Sequence, residues 1–185
     1  MTALGDVIAA VGAARPVTDS SSVVVAVDGF GGAGKSTLAS QIIAELPGAI
    51  VHTDDFAAWD NPLDWWPRMI EQVLVPLSHN ETARYQRYDW DDRQLAEWHE
   101  IEPGGLVVLE GVTSSRRAFR PYLSFAVWVE TPRELRLARG IDRDGEGMRD
   151  AWLGWMTLED EWAAAEDPRS HANLIVSGAL FLPND

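Results

Sequence analysis

The chain has 185 residues, enough for one well-buried α/β domain, and it contains no cysteine, which excludes disulfides and thiolate metal sites. Its formal net charge of −14 argues against general nucleic-acid binding, which depends on Lys and Arg neutralising phosphates. No apolar run is long enough to span a bilayer, and Gly5 and Asp6 break up the N-terminal segment before it resembles a secretory signal; a cytoplasmic protein without a membrane partner is expected.

Leu4, Val7, Ile8 and Val11 recur at helical spacing, predicting a short packed helix over residues 3 to 14 that ends at Arg15-Pro16. A polar turn, Thr18 to Ser22, precedes the β-branched run Val23 to Val27, which reads as a strand buried on both faces. Gly29 to Gly34 is a glycine-rich turn, and Lys35 to Leu46 reads as the next helix, stopped by Pro47-Gly48. Further strands are predicted at Ala49 to Thr53, Leu106 to Glu110, Phe125 to Glu130 and Asn173 to Val176, with helices at Pro132 to Ile141 and Met148 to Ala165. The interval from Phe56 to Gly105 is too long for a plain crossover. An inserted helical subregion is expected there, over the C-terminal edge of the sheet, where ligands bind in such folds.

Gly29-Phe30-Gly31-Gly32-Ala33-Gly34-Lys35-Ser36 fits the pattern G-x-x-x-x-G-K-[ST] between a strand and a helix, the context that a phosphate-binding loop requires. Glycines let consecutive N–H groups turn inward on phosphate oxygens, and the following helix adds the positive end of its dipole. Gly29, Gly31, Gly32, Ala33, Gly34, Lys35, Ser36 and Thr37 are the expected nucleotide-binding residues. Lys35 is placed to reach the β- and γ-phosphates, and the Ser36 hydroxyl to ligate Mg²⁺. Lys35 is also the only lysine in the chain, against fourteen arginines. We read this as a position that needs a compact ammonium. A chain with one lysine has no N-K-x-D segment for guanine, and no L-S-G-G-Q-like segment suggests a transporter ATPase.

Strands alternating with helices around this loop predict an α/β fold of the three-layer P-loop NTPase type. It would have a five-stranded parallel sheet and a small helical insertion and lid. We expect one domain over residues 1–185, with the insertion at about 56–105 and the lid at about 133–150.

Asp54 and Asp55 follow the second strand, where a carboxylate can take the proton of an attacking hydroxyl. Neighbours on an extended segment point to opposite sides, so one acid should face the cleft and the other away. Glu110 ends an apolar strand, a place suited to supporting Mg²⁺ directly or through water. Eight of the fourteen arginines lie between Arg116 and Arg149, a local answer to the acidic net charge. Of these, Arg136, Arg139 and Arg143 recur at spacings of three and four and would share one helix face, held over the transferring phosphoryl group. Five of the nine tryptophans (Trp59, Trp65, Trp66, Trp90, Trp98) fall in the insertion, and most should pack it onto the sheet.

Together these segments resemble the uridine kinase/phosphoribulokinase group of P-loop kinases. Asp54-Asp55-Phe56 is similar to that group's D-S-F segment, which implies that Asp54 is the base. Asp60-Asn61-Pro62 resembles D-H-P, and Tyr88-Asp89-Trp90 resembles Y-D-F; both imply acceptor-binding roles, for Asp60 and Tyr88. Glu110-Gly111 resembles the E-G that ends the third strand. Arg136-Leu137-Ala138-Arg139 with Arg143-Asp144 resembles the lid pattern, and Asn173 to Gly178 the last strand and the turn beside adenine. Three features depart from the pattern. Arg93 stands where the nucleoside kinases keep a base-contacting histidine, position 55 is Asp rather than Ser, and the segment after Asp144 is short. The resemblance implies transfer of the γ-phosphoryl of ATP, with Mg²⁺, to a hydroxyl of a small molecule, with Asp54, Lys35, Arg139 and Arg143 as catalytic residues and Ser36 and Glu110 at the metal. Arg93 would bind an acidic or phosphorylated acceptor, or pair with Asp89, Asp91 or Asp92. The alternative is a regulatory or assembly P-loop ATPase whose partner is a protein. The oligomeric state is not legible.

Overall fold

The structure is a computed structural model that describes residues 3–17 and 19–179; Thr18, at the start of the expected polar turn, lies outside them. Helix α1 (Leu4–Ala13) carries the side chains of Val7 and Val11 inward, and the Asp6 carboxylate accepts the Ala3 N–H at its start. Strand β1 (Ser22–Asp28) leads through the glycine-rich loop into α2 (Lys35–Glu45) and then β2 (Gly48–His52). After the insertion come β5 (Gly105–Glu110), β6 (Phe125–Glu130), α5 (Arg133–Asp144), α6 (Arg149–Glu166) and β7 (Leu174–Ser177).

The main sheet has five strands in the order β2-β5-β1-β6-β7, every pairing parallel, as the alternation of strands and helices predicts. Side chains one residue apart on a strand point to opposite faces. Val25, Val27 and Val108 accordingly join a core with α1 and α2, whereas Val24, Val107 and Leu109 join a second core with the insertion. Burial on both faces is why the central strands read as unbroken apolar runs.

The insertion contains the expected helix and, in addition, a hairpin that the sequence reading lacks. The helix runs as α3 (Trp66–Met69), widens into a π-helical stretch (Ile70–Leu74) and continues as α4 (Val75–Ser78). The widening precedes Pro76, whose ring would clash with the Gln72 carbonyl in a regular helix. Strands β3 (Ala83–Asp89) and β4 (Gln94–Ile101) then form an antiparallel pair with a bulge near Arg87. Its polar, charge-rich outer face hides the strand alternation in sequence. On the inner face, Tyr85 packs on Phe56 with ring centroids 4.8 Å apart.

Candidate active site

The order of the strands assembles the site. With β5 between β1 and β2, the loop after β1, the 3₁₀ turn Thr53–Asp55 after β2 and Glu110 at the end of β5 lie side by side on one sheet edge. They open on a cavity of about 720 Å³, lined also by Trp59, Trp65 and Trp90 of the insertion, by Arg139 and Arg143 of α5 and by Trp152 and Trp155 of α6.

Of the expected nucleotide-binding residues, Gly31 to Thr37 line this cavity; Gly29 begins the loop behind it. Lys35 is nearly buried, and its ammonium donates to the Phe30 carbonyl at 2.9 Å, so the lysine closes over its own loop. Gly32 has φ +73°, and a methyl group there would lie 2.5 Å from the Arg136 carbonyl oxygen, so both conformation and space require glycine. Behind the loop, the buried Asp28 carboxylate accepts N–H bonds from Gly29, Thr113 and Ser115 and the Ser115 hydroxyl. Burial raises its pKa despite these bonds.

The Ser36 hydroxyl donates to Glu110 at 3.0 Å, and His52 Nδ1 lies 2.7 Å from the other Glu110 oxygen. Burial works to raise the Glu110 pKa, but the His52 bond and the Lys35 charge outweigh it and hold the carboxyl below its ordinary value. The same bond raises His52. Among the described residues no cluster of three or more His, Cys, Asp or Glu could enclose a metal ion. A hydroxyl and a carboxylate converging beside a phosphate loop do fit Mg²⁺, which keeps waters and phosphate oxygens and uses one or two protein ligands.

Asp54 and Asp55 part company. Asp54 lines the cavity and no hydrogen bond holds its carboxylate among the described residues, whereas Asp55 turns away and accepts the Tyr85 hydroxyl at 3.1 Å. Packing around Asp54 raises its pKa, opposed by the charge on Lys35. Because the carboxylate opens onto the cavity, solvent screens part of that penalty.

The three arginines of α5 do not act as one face. Arg139 and Arg143 line the cavity, Arg139 donating to the carbonyls of Gly32 and Gly178, and Arg143 pairing with Asp144 at 2.7 Å. Arg136 is instead buried beneath the loop, 4.5 Å from the Phe30 ring centroid and 3.3 Å from Glu159. A spacing of three to four spreads three residues over an arc, and the loop packs against its inner edge.

Asp60, Tyr88 and Arg93 do not line the cavity, although their neighbours Trp59 and Trp90 do. Arg93 stands beside the cavity lining rather than in it. It sits exposed at the hairpin turn with φ +53°, over the Trp59 ring, and none of Asp89, Asp91 and Asp92 forms an ion pair with it among the described residues. Asp89 is taken by Arg87 and by the backbone N–H groups of Asp91 and Asp92, which shape the turn.

Sequence reasoning also missed Glu159, wholly buried on α6, whose carboxylate accepts the Gly31 N–H at 2.6 Å. One signal was present: Trp152, Met156, Glu159 and Trp162 share the buried stripe of α6, and an acid has no place in such a stripe without a partner.

A parallel sheet with this loop between β1 and α2 defines a P-loop nucleotide-binding fold. No family model matches the chain. It is 28% identical to a uridine kinase of Alkaliphilus metalliredigens over 143 residues, 67% of this chain and 69% of the relative. It is 23% identical to a uridine kinase of Macrococcus caseolyticus over 146 residues, 69% and 71% of the two chains. In fold it is similar to a candidate uridine kinase from Bacillus stearothermophilus (TM-score 0.68, 17% identity, 93% of this chain and 96% of that one). It is also similar to a candidate fructose transport system kinase from Silicibacter sp. (TM-score 0.66, 19% identity, 95% and 100%). In sequence and in fold the chain thus resembles the uridine kinase-like P-loop kinases. No helix among the described residues is long and apolar enough to cross a membrane.

Proposed function

We propose that the protein is an ATP- and Mg²⁺-dependent kinase that transfers the γ-phosphoryl group of ATP to a hydroxyl of a small molecule. The observation that carries this reading is Asp54: a carboxylate with no hydrogen bond among the described residues, in the same cavity as Lys35, Ser36 and Arg143. In this mechanism Asp54 accepts the proton of the acceptor hydroxyl as that oxygen forms its bond to phosphorus and the bond to the ADP oxygen breaks. Lys35 and the loop N–H groups hold the phosphates, while Arg139 and Arg143 supply positive charge to the transferring group. Ser36 and Glu110 would hold Mg²⁺, which supplies charge neutralisation at the phosphates. The aromatic wall of Trp59, Trp65 and Trp90 is where the acceptor would lie, with the Tyr88 ring edge-on to Trp90 and Asp60 next to Trp59 in the chain. The relatives named uridine kinase make uridine the first acceptor to try, and an aromatic wall suits a flat ring.

The test is coupled ATP turnover against nucleosides, sugars, hydroxy acids and sugar phosphates. Phosphorylation of a hydroxyl compound that collapses in Asp54→Asn supports the reading. ATP hydrolysis unaffected by every acceptor, and retained in Asp54→Asn, would favour a protein-directed ATPase instead.

A further inference from the structure

Two different elements hold the first half of the phosphate loop: Asp28 of β1 takes the Gly29 N–H, and α6 takes that of Gly31. Glu159 of α6 is fully buried, and one of its oxygens accepts the Gly31 N–H at 2.6 Å. Its other oxygen lies 3.3 Å from Arg136, whose guanidinium also donates to the Thr131 carbonyl and stacks 4.5 Å from the Phe30 ring centroid. The Trp155 indole nitrogen, beside the same face of Gly31, lines the cavity and favours the charged form of Glu159. A methyl group on Gly31 would meet Trp152 at 3.0 Å and Glu159 at 3.1 Å, so α6 is packed directly on the loop.

An acid in this place has a cost. Its charge is buried beside a loop whose purpose is to hold anions, in a protein already strongly acidic. If α6 only needed to pack, an apolar side chain would continue the stripe of Trp152, Met156 and Trp162. What a carboxylate adds is a fixed acceptor for one loop N–H, with its charge answered by Arg136. From these contacts we infer that Glu159 is a positioning residue for the proposed reaction: it fixes the Gly31 peptide, and through it the open half of the phosphate loop, so that the loop takes its nucleotide-binding shape when α6 is docked. The inference rests on the proposed ATP binding.

Charge-neutral pairs separate positioning from packing. Arg136→Met with Glu159→Gln removes both charges but keeps a carbonyl oxygen for Gly31; Arg136→Met with Glu159→Leu removes both charges and the acceptor. Melting of the ligand-free proteins and calorimetric titration with ATP and MgCl₂ are measured for each. The two double variants should melt within a few degrees of each other, since neither buries an unpaired charge and each leaves one polar group unanswered, the Gly31 N–H in the Leu variant and the amide NH₂ in the Gln variant. The Gln variant should bind ATP within about threefold of the natural protein and the Leu variant about tenfold or more weakly, as expected for loss of one oriented hydrogen bond. Equal ATP affinity in the two would overturn the inference and leave the kinase reading intact. Absence of ATP binding in the natural protein would remove both. Amide hydrogen exchange gives a check without any variant. The Gly31 N–H should exchange slowly in the ligand-free protein, and rapid exchange there would also overturn the inference.

Discussion

Replacing Asp54 with asparagine tests the site at its most decisive atom, because the structure separates the chemical effect from the structural one. The side chains have the same shape, and the Asp54 carboxylate makes no hydrogen bond that asparagine would lose among the described residues. Stability should therefore change by less than about 0.5 kcal/mol, the range of substitutions away from special contacts. The sign at neutral pH favours the variant. A carboxylate whose folded pKa is raised stabilises the fold in its protonated form. That contribution is fully present below the unfolded value of about 4 and is lost as pH rises through the folded pKa. Asparagine, neutral throughout, should melt at or slightly above the natural protein at pH 7, and the gap should close in acid. ATP affinity should hold or improve slightly, since one negative charge near the phosphates is gone. The turnover number should fall by roughly 10² to 10⁴, about 3–5 kcal/mol of barrier, the contribution of a positioned general base. In the natural protein kcat should likewise fall as pH drops through the raised Asp54 value. Coupled-enzyme kinetics with the best acceptor, calorimetry with ATP and a melting curve supply the three readouts. Turnover within threefold of the natural enzyme, or a larger loss in Asp55→Asn, would refute the assignment of Asp54 as the base.

Lys35→Ala should abolish measurable turnover, and Lys35→Arg should lose roughly 10²-fold or more, because the nearly buried ammonium, 2.9 Å from the Phe30 carbonyl, is a compact point charge that a longer planar fork does not reproduce; near-natural kinetics in the arginine variant would remove the steric explanation of the lone lysine. Arg143→Gln should lower kcat more than it raises the KM for ATP and leave the melting temperature nearly unchanged, since its side chain is 71% exposed and its contacts among the described residues are a pairing with the neighbouring Asp144 and a 5.6 Å approach to the Trp152 ring centroid. Arg139→Gln should lower both kcat and melting temperature, because it also loses its bonds to the carbonyls of Gly32 and Gly178; equal thermal behaviour of the two variants would contradict this division. Gly178→Ala should lower the melting temperature and weaken ATP binding together, as its methyl group would lie 1.9 Å from the Ala33 carbonyl oxygen and force the phosphate loop to shift. A fully stable alanine variant with normal ATP affinity would show that β7 does not support the loop.

By itself the sequence determined those features that depend on local pattern. Runs such as Val23 to Val27 are apolar because the strand is covered on both faces, and that requirement is visible without any partner. The phosphate loop was legible because its glycines and lysine must be contiguous to wrap one group of phosphates, so the whole device is written in eight residues. The tertiary structure alone decided what depends on residues far apart in the chain. The hairpin of β3 and β4 was hidden because its outer face is crowded with charges that pair across strands, as Arg87 does with Glu97. Arg93 appeared to belong to the acceptor pocket by its place in the sequence, but a turn shaped by Asp89 carries it outside. Spacing put Arg136, Arg139 and Arg143 on one helix face. Only the packing of α6 showed that Arg136 answers a buried acid while the other two face the cavity. Glu159 touches Gly31 across 128 positions of sequence, and no local pattern can register a contact whose partner is fixed only when α6 folds back over the loop.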